Sequence, residues 1–242
     1  MLKKSILVLT GLLVLLVCAL PAAASQERLI STTGDATCKI KPDLAKILLV
    51  IECEKKDVAE VQKENNRIMN SFNRAMLHNG VKKSDIQTVS FQITPVQKYE
   101  KNSDKRKIIA YRATQQILLT TNQLDKLGLL TAQALNSGIT RVQKISYDLA
   151  NPNSAAEKAV ALAVNNARQK ALSIAKAAGL TIKGISRIQE SNSYINRPND
   201  FFVRALSSSA KAEANEDYSE ALEIANPDLI EVQSRVQIDF IF

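Results

Sequence analysis

The sequence has few of the residues on which enzyme chemistry usually depends. It contains one histidine, three cysteines and seven glycines in 242 residues. No CxxC motif, no HExxH motif and no cluster of histidines and cysteines is present, so zinc and thiol redox chemistry are unsupported. The glycines are too sparse for either glycine-rich fingerprint of nucleotide-binding proteins. We therefore predict no cofactor and no metal.

His78 is the only imidazole that a Ser-His-Asp arrangement could use. It stands in the last turn of a predicted helix, next to Asn79 and Gly80. An imidazole at this position interacts favourably with the carboxyl end of the helix, so capping or plain exposure is the interpretation we prefer. We predict no catalytic residue, and we expect that the chain is not an enzyme.

Glu52 and Glu54 form the carboxylate pair on which an alternative, hydrolytic function would depend. They are two residues apart in a predicted strand, so both side chains lie on one face of it. Such positions are ordinarily solvated, and that is the favoured interpretation. The alternative is a hydrolase or a binding protein for cell-wall or other anionic ligands.

Long apolar runs are absent from the sequence after its first two dozen residues. Lys3 and Lys4 precede an apolar stretch from 6 to 20, and three alanines at 22–24 follow. This pattern is typical of a secretory signal peptide, here residues 1–24, with cleavage after Ala24. An uncleaved anchor is the alternative, although the run is shorter than the ~20 residues of a typical membrane span. We expect an exported protein, periplasmic or otherwise associated with the cell envelope.

The charge of the chain is mildly basic. The full sequence has a formal charge of +8, and loss of Lys3 and Lys4 with the signal lowers it to +6. The charges are scattered, which favours solubility as their role over binding to anionic lipids or cell-wall polymers. No specific nucleic-acid partner and no membrane span after cleavage are expected.

Strand and helix patterns alternate along the mature chain and predict an α+β fold of repeated ββα units. Helices should pack on twisted antiparallel sheets, followed by a long third helix and a C-terminal strand. The predicted elements are hairpin strands 29–40 and 44–54, helix 58–78, hairpin strands 86–96 and 108–120, helix 124–136, strand 140–149, helix 155–179, strand 182–190 and strand 229–242.

The helix ends carry specific signals. Asp57 is placed to cap the first helix, and Gly80, Gly138 and Gly179, each followed by an apolar residue, are typical of Schellman C-caps. The long helix has an alanine-rich stripe that would let its backbone approach a sheet closely. The predicted stripe comprises Ala156, Val160, Ala163, Val164, Ala167, Ala171, Ile174, Ala175 and Ala178. In the first helix, residues 62–67 are predicted to form a solvated face.

Cys38 and Cys53 are the two cysteines of the mature chain. Export would favour a disulfide between them. If the first two strands formed a hairpin turning at Lys41-Pro42-Asp43, Cys53 would lie on the order of 20 Å from Cys38, beyond the ~7 Å limit for bridged Cα atoms. We therefore predict two separate thiols.

We treat residues 25–242 as one α+β region. It can be divided into two intertwined subdomains, 25–84 with 180–242, and 85–179. Serine, asparagine, alanine and charged residues dominate 191–228, which we predict to be a long, partly mobile loop.

Several short phrases of the chain resemble the SIMPL-domain family of exported bacterial envelope proteins, of the periplasmic immunogenic and oxidative-stress-defence type. The phrases are Gly34-Asp35-Ala36, Lys41-Pro42-Asp43-Leu44-Ala45, Asp85-Ile86-Gln87-Thr88, Tyr111-Arg112-Ala113, Asp125-Lys126-Leu127-Gly128 and Ala167-Arg168-Gln169-Lys170-Ala171. The resemblance covers essentially the whole mature chain. It implies an exported α+β protein without a known catalytic motif, sometimes forming ring-like assemblies and loosely linked to stress defence.

Two stretches are candidates for contact with partners. The tip of the second hairpin is basic and could bind an envelope polyanion, although a soluble turn of mixed charge is the simpler interpretation. Its candidate residues are Lys98, Lys101, Lys105, Arg106 and Lys107. Phe201 and Phe202 form an apolar patch in the late loop, which either contacts a partner or folds back onto its own domain.

The function predicted from these features is non-catalytic self-assembly or partner interaction in the cell envelope. The chain itself is the expected partner, as a homo-oligomer, or else an envelope polyanion or protein. We further expect the last strand, which runs to the end of the chain with few charges, to leave an open edge for pairing.

Overall fold

The structure, a computed structural model, describes residues 28–99, 106–197 and 227–242. It confirms the α+β class, with three α-helices and seven strands in the described part of the chain. The strands are β1 (Leu29–Ile40), β2 (Leu44–Lys55), β3 (Ile86–Tyr99), β4 (Arg106–Thr121), β5 (Arg141–Asp148), β6 (Gly184–Asn196) and β7 (Ile230–Ile241). The helices are α1 (Val58–His78), α2 (Leu127–Asn136) and α3 (Pro152–Ala177). Within the described ranges, no helix combines the length and apolarity needed to cross a membrane.

Four strands form one antiparallel sheet in the order β3-β4-β2-β5. Helices α1 and α2 cover one face of it, because the apolar side chains of alternate strand positions all point toward them. This core contains Ile47, Leu49 and Ile51 of β2 beneath Phe72 and Met76 of α1. The described helices leave the opposite face of the sheet uncovered.

The other three strands form a second sheet in the order β1-β7-β6, backed by α3. Buried alanines at a spacing of four residues let the helix axis come close to the strands. At the closest point an added Cβ on Gly34 would collide with the carbonyl oxygen of Ala163 and lie 2.6 Å from the nitrogen of Ala167. Thr32 fixes this contact, since its hydroxyl donates to the carbonyl of Ala167 at 2.9 Å.

All three predicted helix endings are confirmed. Gly80, Gly138 and Gly179 have φ angles of 83°, 100° and 68°, in the left-handed region that favours glycine. The amide of the residue after each glycine donates to a carbonyl five residues earlier, which is the Schellman arrangement. Asp57 caps α1, since its side chain accepts from the amide of Ala59 at 2.7 Å.

The prediction of a hairpin between the first two strands is wrong. β1 pairs along its whole length with β7, from Leu29 opposite Ile241 to Ile40 opposite Ile230, whereas β2 pairs with β4 and β5. The segment around Pro42 carries the chain from one sheet into the other rather than turning it back. Of the two predicted ββα units, the second therefore contains a hairpin and the first does not. The order strand, strand, helix is repeated along the chain, but the pairing of the strands is not.

The expected open edge at the last strand is also wrong. β7 lies between β1 and β6 and pairs with both, so its hydrogen-bonding groups are used inside the sheet. β1 lies at one edge of the sheet, and side chains of α3 donate hydrogen bonds to two of its backbone carbonyls. Lys170 donates to the carbonyl of Thr33 at 2.7 Å and Asn166 to that of Asp35 at 2.8 Å.

Three smaller predictions need correction. β6 continues to Asn196, so the start of the predicted loop 191–228 is strand, while 198–226 lie outside the described residues. Asn65 is buried rather than solvated, because its amide donates to Gln115 of β4 at 2.6 Å. Ile174 and Ala178 of the predicted stripe are exposed, since the buried stripe of α3 follows Ala155, Ala159, Ala163, Ala167, Ala171 and Ala175.

The sheets group the chain differently from the predicted subdomains 25–84 with 180–242, and 85–179. Residues 44–84 belong with the four-stranded sheet, and α3 belongs with the three-stranded one. Cys38 and Cys53 are both free and lie in different sheets, so the predicted absence of a bond between them agrees with the structure. The prediction rested on a hairpin register between β1 and β2, and these two strands do not pair with each other.

Candidate interaction surfaces

The uncovered face of the four-stranded sheet carries the carboxylate pair on which a hydrolytic function would depend. Arg112 of β4 lies 3.5 Å from a Glu52 oxygen and 2.9 Å from a Glu54 oxygen, and Arg141 of β5 lies 3.0 Å from the other Glu52 oxygen. Each carboxylate is therefore held by a guanidinium. The arrangement is that of a partly exposed ion-pair network across three strands, in agreement with the solvated interpretation.

The second hairpin projects beyond the rest of its sheet. β2 ends at Lys55, opposite Tyr111, so among the described strands the part of β4 before Tyr111 has β3 alone as a neighbour. We call residues 89–99 of the edge strand β3 and residues 106–111 of β4 the hairpin arm, of which 96–99 and 106–110 lie beyond the end of β2. Its exposed apolar side chains are Val89, Phe91, Tyr99, Ile108 and Ile109. Exposed apolar side chains on an edge strand and its neighbour make the arm a candidate contact surface.

Three of the five basic candidates lie at the end of the arm. Lys98 and Lys107 are directly opposite each other in the β3–β4 pair. Arg106 stacks on Tyr99, with its guanidinium carbon 5.0 Å from the ring centroid, and donates to the tyrosine oxygen at 2.9 and 2.6 Å. Lys101 and Lys105 lie outside the described residues, as do Phe201 and Phe202.

The positions of His78 and Cys53 are those of structural rather than catalytic side chains. His78 stands in the last turn of α1, as expected for a residue at a helix C-terminus. Burial, and then the nearby charge of Glu64, raise the pKa of the Cys53 thiol, so it is protonated and weakly nucleophilic at neutral pH. In the described ranges, no group of three or more His, Cys, Asp or Glu side chains could hold a metal ion.

The face of the three-stranded sheet opposite α3, which no described helix covers, is a surface that the sequence analysis did not identify. A bulge in β6 places Asn192 and Ser193 opposite the single residue Ser234 of β7. Beside it is an open depression of ≈ 430 Å³, whose lining includes Asp35, Thr37, Ser191, Tyr194, Gln233 and Arg235. The alternating polar residues of β1 and β7 were a usable signal, but only the pairing of these strands reveals their common face.

The fold defines an α+β protein built on two antiparallel sheets, each covered by helices on one face. The chain belongs to the SIMPL family, described as a protein of unknown function (DUF541), whose sequence profile matches residues 30–240. This match confirms the resemblance seen in the short sequence phrases.

Relatives of the chain come from several bacteria. The uncharacterized protein YggE of Edwardsiella ictaluri is 27% identical over 151 residues, 62% of this chain and 63% of the relative. YggE of Escherichia coli K12 is 28% identical over 146 residues, 60% of this chain and 58% of the relative. The 26 kDa periplasmic immunogenic protein of Brucella melitensis is 28% identical over 181 residues, 71% of this chain and 72% of the relative. The matched part thus spans less than two thirds of the two YggE proteins.

Proposed function

We propose that this chain is an exported cell-envelope protein that acts by self-association through the hairpin arm and has no catalytic turnover. Export is supported by the signal-like residues 1–24 and by the name of the Brucella relative, which calls that protein periplasmic. Mass spectrometry of the exported chain tests whether residues 1–24 have been removed. A role in stress defence is what the family resemblance implies, and it stays a prediction.

The exposed apolar side chains of the arm are the observation that carries the proposal. Ile108 and Ile109 are neighbours in β4 at the irregularity of the β3–β4 pair between Val96 and Gln97, where Ile109 has no partner in β3, and both are exposed. Phe91 adds a large apolar side chain on β3. Clusters of exposed apolar side chains are typical of surfaces that contact a partner, so burial of these side chains against another chain would stabilise the arm.

The charge distribution of β3 favours a second copy in antiparallel orientation. No charged residue occurs from Ile86 to Gln97, whereas Lys98 follows directly. Antiparallel pairing of two β3 edges would place the lysines at opposite ends, while parallel pairing would bring like charges together. Pro95 and the bulge at Val89 restrict the regular pairing to the short stretch between them. Apolar side-chain contact must therefore supply much of the interface.

Light scattering on the protein without residues 1–24 tests the proposal. We expect an oligomer whose mass falls when Phe91 and Ile109 are both replaced by Ser. Their exposed fractions are 45% and 46%, so their loss should leave the fold intact. Leu77→Ser is the matched control, since Leu77 is 49% exposed on α1, away from the arm. It should leave the mass unchanged.

Two results would contradict self-association through the arm. One is a monodisperse monomer across a hundredfold range of protein concentration. The other is an oligomer whose mass the arm variant does not change. Reproducible turnover of a cell-wall fragment, lost in Glu52→Gln, would instead support the hydrolytic alternative.

Polyanion binding at the end of the arm is the second candidate function. The observation that favours it is the direct cross-strand pair of Lys98 and Lys107, because like charges opposite each other are destabilising without an acidic partner. Heparin serves as a probe. Binding that weakens with salt and is reduced in the Lys98→Ser, Lys107→Ser variant would support this function, and equal binding by the variant would exclude these residues.

A further inference from the structure

The depression on the three-stranded sheet is lined by residues of strands rather than of loops. Its side chains come from three neighbouring strands: Asp35 and Thr37 from β1, Gln233 and Arg235 from β7, and Tyr194 from β6. The bulge in β6 changes the spacing of side chains just before Tyr194. Groups fixed in this way are preorganised, which lowers the entropic cost of binding a ligand.

The charges of this face are balanced within the protein. Arg235 lies 2.6 Å from Asp35, Lys39 lies 3.1 Å from Glu231, and Arg187 lies 3.7 Å from Asp239. Among the residues that the structure describes on this face, three cations thus face three carboxylates, and these residues carry no excess of either sign. A neutral ligand fits this balance better than a polyanion or a polycation does.

The polar groups of the depression include both hydrogen-bond donors and acceptors. Gln233 supplies an amide, Thr37 and Ser191 supply hydroxyls, and Arg235 and Asp35 supply a guanidinium and a carboxylate that already pair with each other. Outside the depression the row continues with Gln237, whose amide donates to the hydroxyl of Ser31 at 3.2 Å. An extended ligand carrying many hydroxyl or amide groups could follow this row.

Tyr194 adds an aromatic surface to these polar groups. Its exposed fraction is 64%, and by register its side chain shares a face with Gln233. A tyrosine ring offers an apolar face together with a polar tip. Neutral sugars present the complementary surface, since their rings have apolar C–H faces bordered by hydroxyl groups.

We propose that this depression binds a neutral oligosaccharide, with the Tyr194 ring stacked on one sugar and Gln233, Thr37 and the Asp35–Arg235 pair hydrogen-bonded to its hydroxyls. The inference rests on the three-stranded sheet alone. It does not depend on self-association through the hairpin arm, which belongs to the other sheet. No bond is made or broken in the proposed interaction.

Calorimetry with the hexasaccharide of β-1,4-linked N-acetylglucosamine is the test, with maltohexaose as a second neutral probe and heparin as a charged one. The chain without residues 1–24 should bind at least one neutral probe saturably. Tyr194→Ala should weaken this binding about tenfold or more, which corresponds to ~1.4 kcal/mol. Gln233→Ala should weaken it in the same direction.

Tyr99→Ala is the matched control, because Tyr99 is 61% exposed but lies on the hairpin arm. Its saccharide affinity should equal that of the unchanged protein. The proposal is overturned if neither neutral probe binds, if Tyr194→Ala binds as tightly as the unchanged protein, or if only heparin binds. A change in oligomer mass in Tyr194→Ala without a change in affinity would assign the face to a subunit contact instead.

Discussion

At the residue scale, Gly34 sets how closely α3 approaches the three-stranded sheet. Any side chain there would collide with the backbone of Ala163, and both partners are main-chain atoms of regular elements that cannot move independently. The alanine stripe of the helix and this one glycine therefore work together. Gly34 must be glycine because there is no room for a side chain, whereas the glycines after the helices are needed because their φ angles are positive.

Gly34→Ala should consequently destabilise the protein strongly. Overpacking of a well-packed site typically costs about 1–3 kcal/mol and sometimes more, so we expect a fall in the free energy of unfolding at the upper end of this range. Gly184→Ala is the control, since a Cβ at Gly184 meets no atom within 4 Å. Urea denaturation measures both. Equal stabilities of the two variants would show that the helix sits further from the sheet than described.

At the element scale, the position of β7 between β1 and β6 determines which strands exchange their amide hydrogens slowly. Amides of β7 pair on both sides and its inner face is buried by α3. β6 and β3 are edge strands, and most of their side chains are exposed. Slow exchange requires opening of the surrounding structure, which is rarer for a central strand.

Hydrogen exchange followed by mass spectrometry should therefore protect peptides from 230–241 most within the three-stranded sheet. Peptides from β6 should exchange faster, and those from β3 should become protected as protein concentration rises if the arm self-associates. Fast exchange of β7 together with slow exchange of β6 would contradict the strand order. Fast exchange of β3 at every concentration would contradict the proposed role of the arm.

At the scale of the whole molecule, Asp148 connects the two sheets. Its carboxylate lies 2.8 Å from the ammonium of Lys46 in β2 and 2.8 Å from the guanidinium of Arg197, just after β6. Burial raises the pKa of Asp148, but hydrogen bonds from Lys46, from Arg197 and from the amide of Leu149 outweigh it, so the pKa lies below its usual value. The ionised form thus holds the end of β6 to the four-stranded sheet.

The depressed pKa makes this connection sensitive to acid. Its stabilisation is fully present above the unfolded-state pKa of about 3.9 and is lost as pH falls through the lower folded-state pKa. Asp148→Asn should lower the free energy of unfolding by about 1–2 kcal/mol at neutral pH, since both cationic partners are partly exposed. The difference from the unchanged protein should shrink below about pH 4.

Thermal unfolding across pH measures this effect. Glu231→Gln is the control, because the partner of Glu231, Lys39, is 62% exposed and the pair should contribute little. A stability difference for Asp148→Asn that is the same at pH 3 and pH 7 would mean that packing, rather than the charge of Asp148, accounts for it.

The sequence by itself determined most local structure, because the signals were local. The cap at Asp57 and the glycine after each helix depend on hydrogen bonds within a few residues, and all of them were correct. The second hairpin was also predictable, since its strands are neighbours in the chain. The basic residues at its tip could be named, but the exposure of Phe91 and Ile109 could not. The first depends on β3 being an edge strand, and the second depends on where β2 ends beside β4.

Only the tertiary structure decided which distant segments pair. The local sequence around Pro42 is compatible with a hairpin turn and with a connection between two sheets. The second occurs because β1 pairs with β7, almost 200 residues later, rather than with β2. Asn65 looked solvated because its partner, Gln115, is 50 residues away. The polar face with Tyr194 exists only because β1, β7 and β6 lie side by side. Long-range strand pairing is specified by burial across the whole fold, which no local pattern contains.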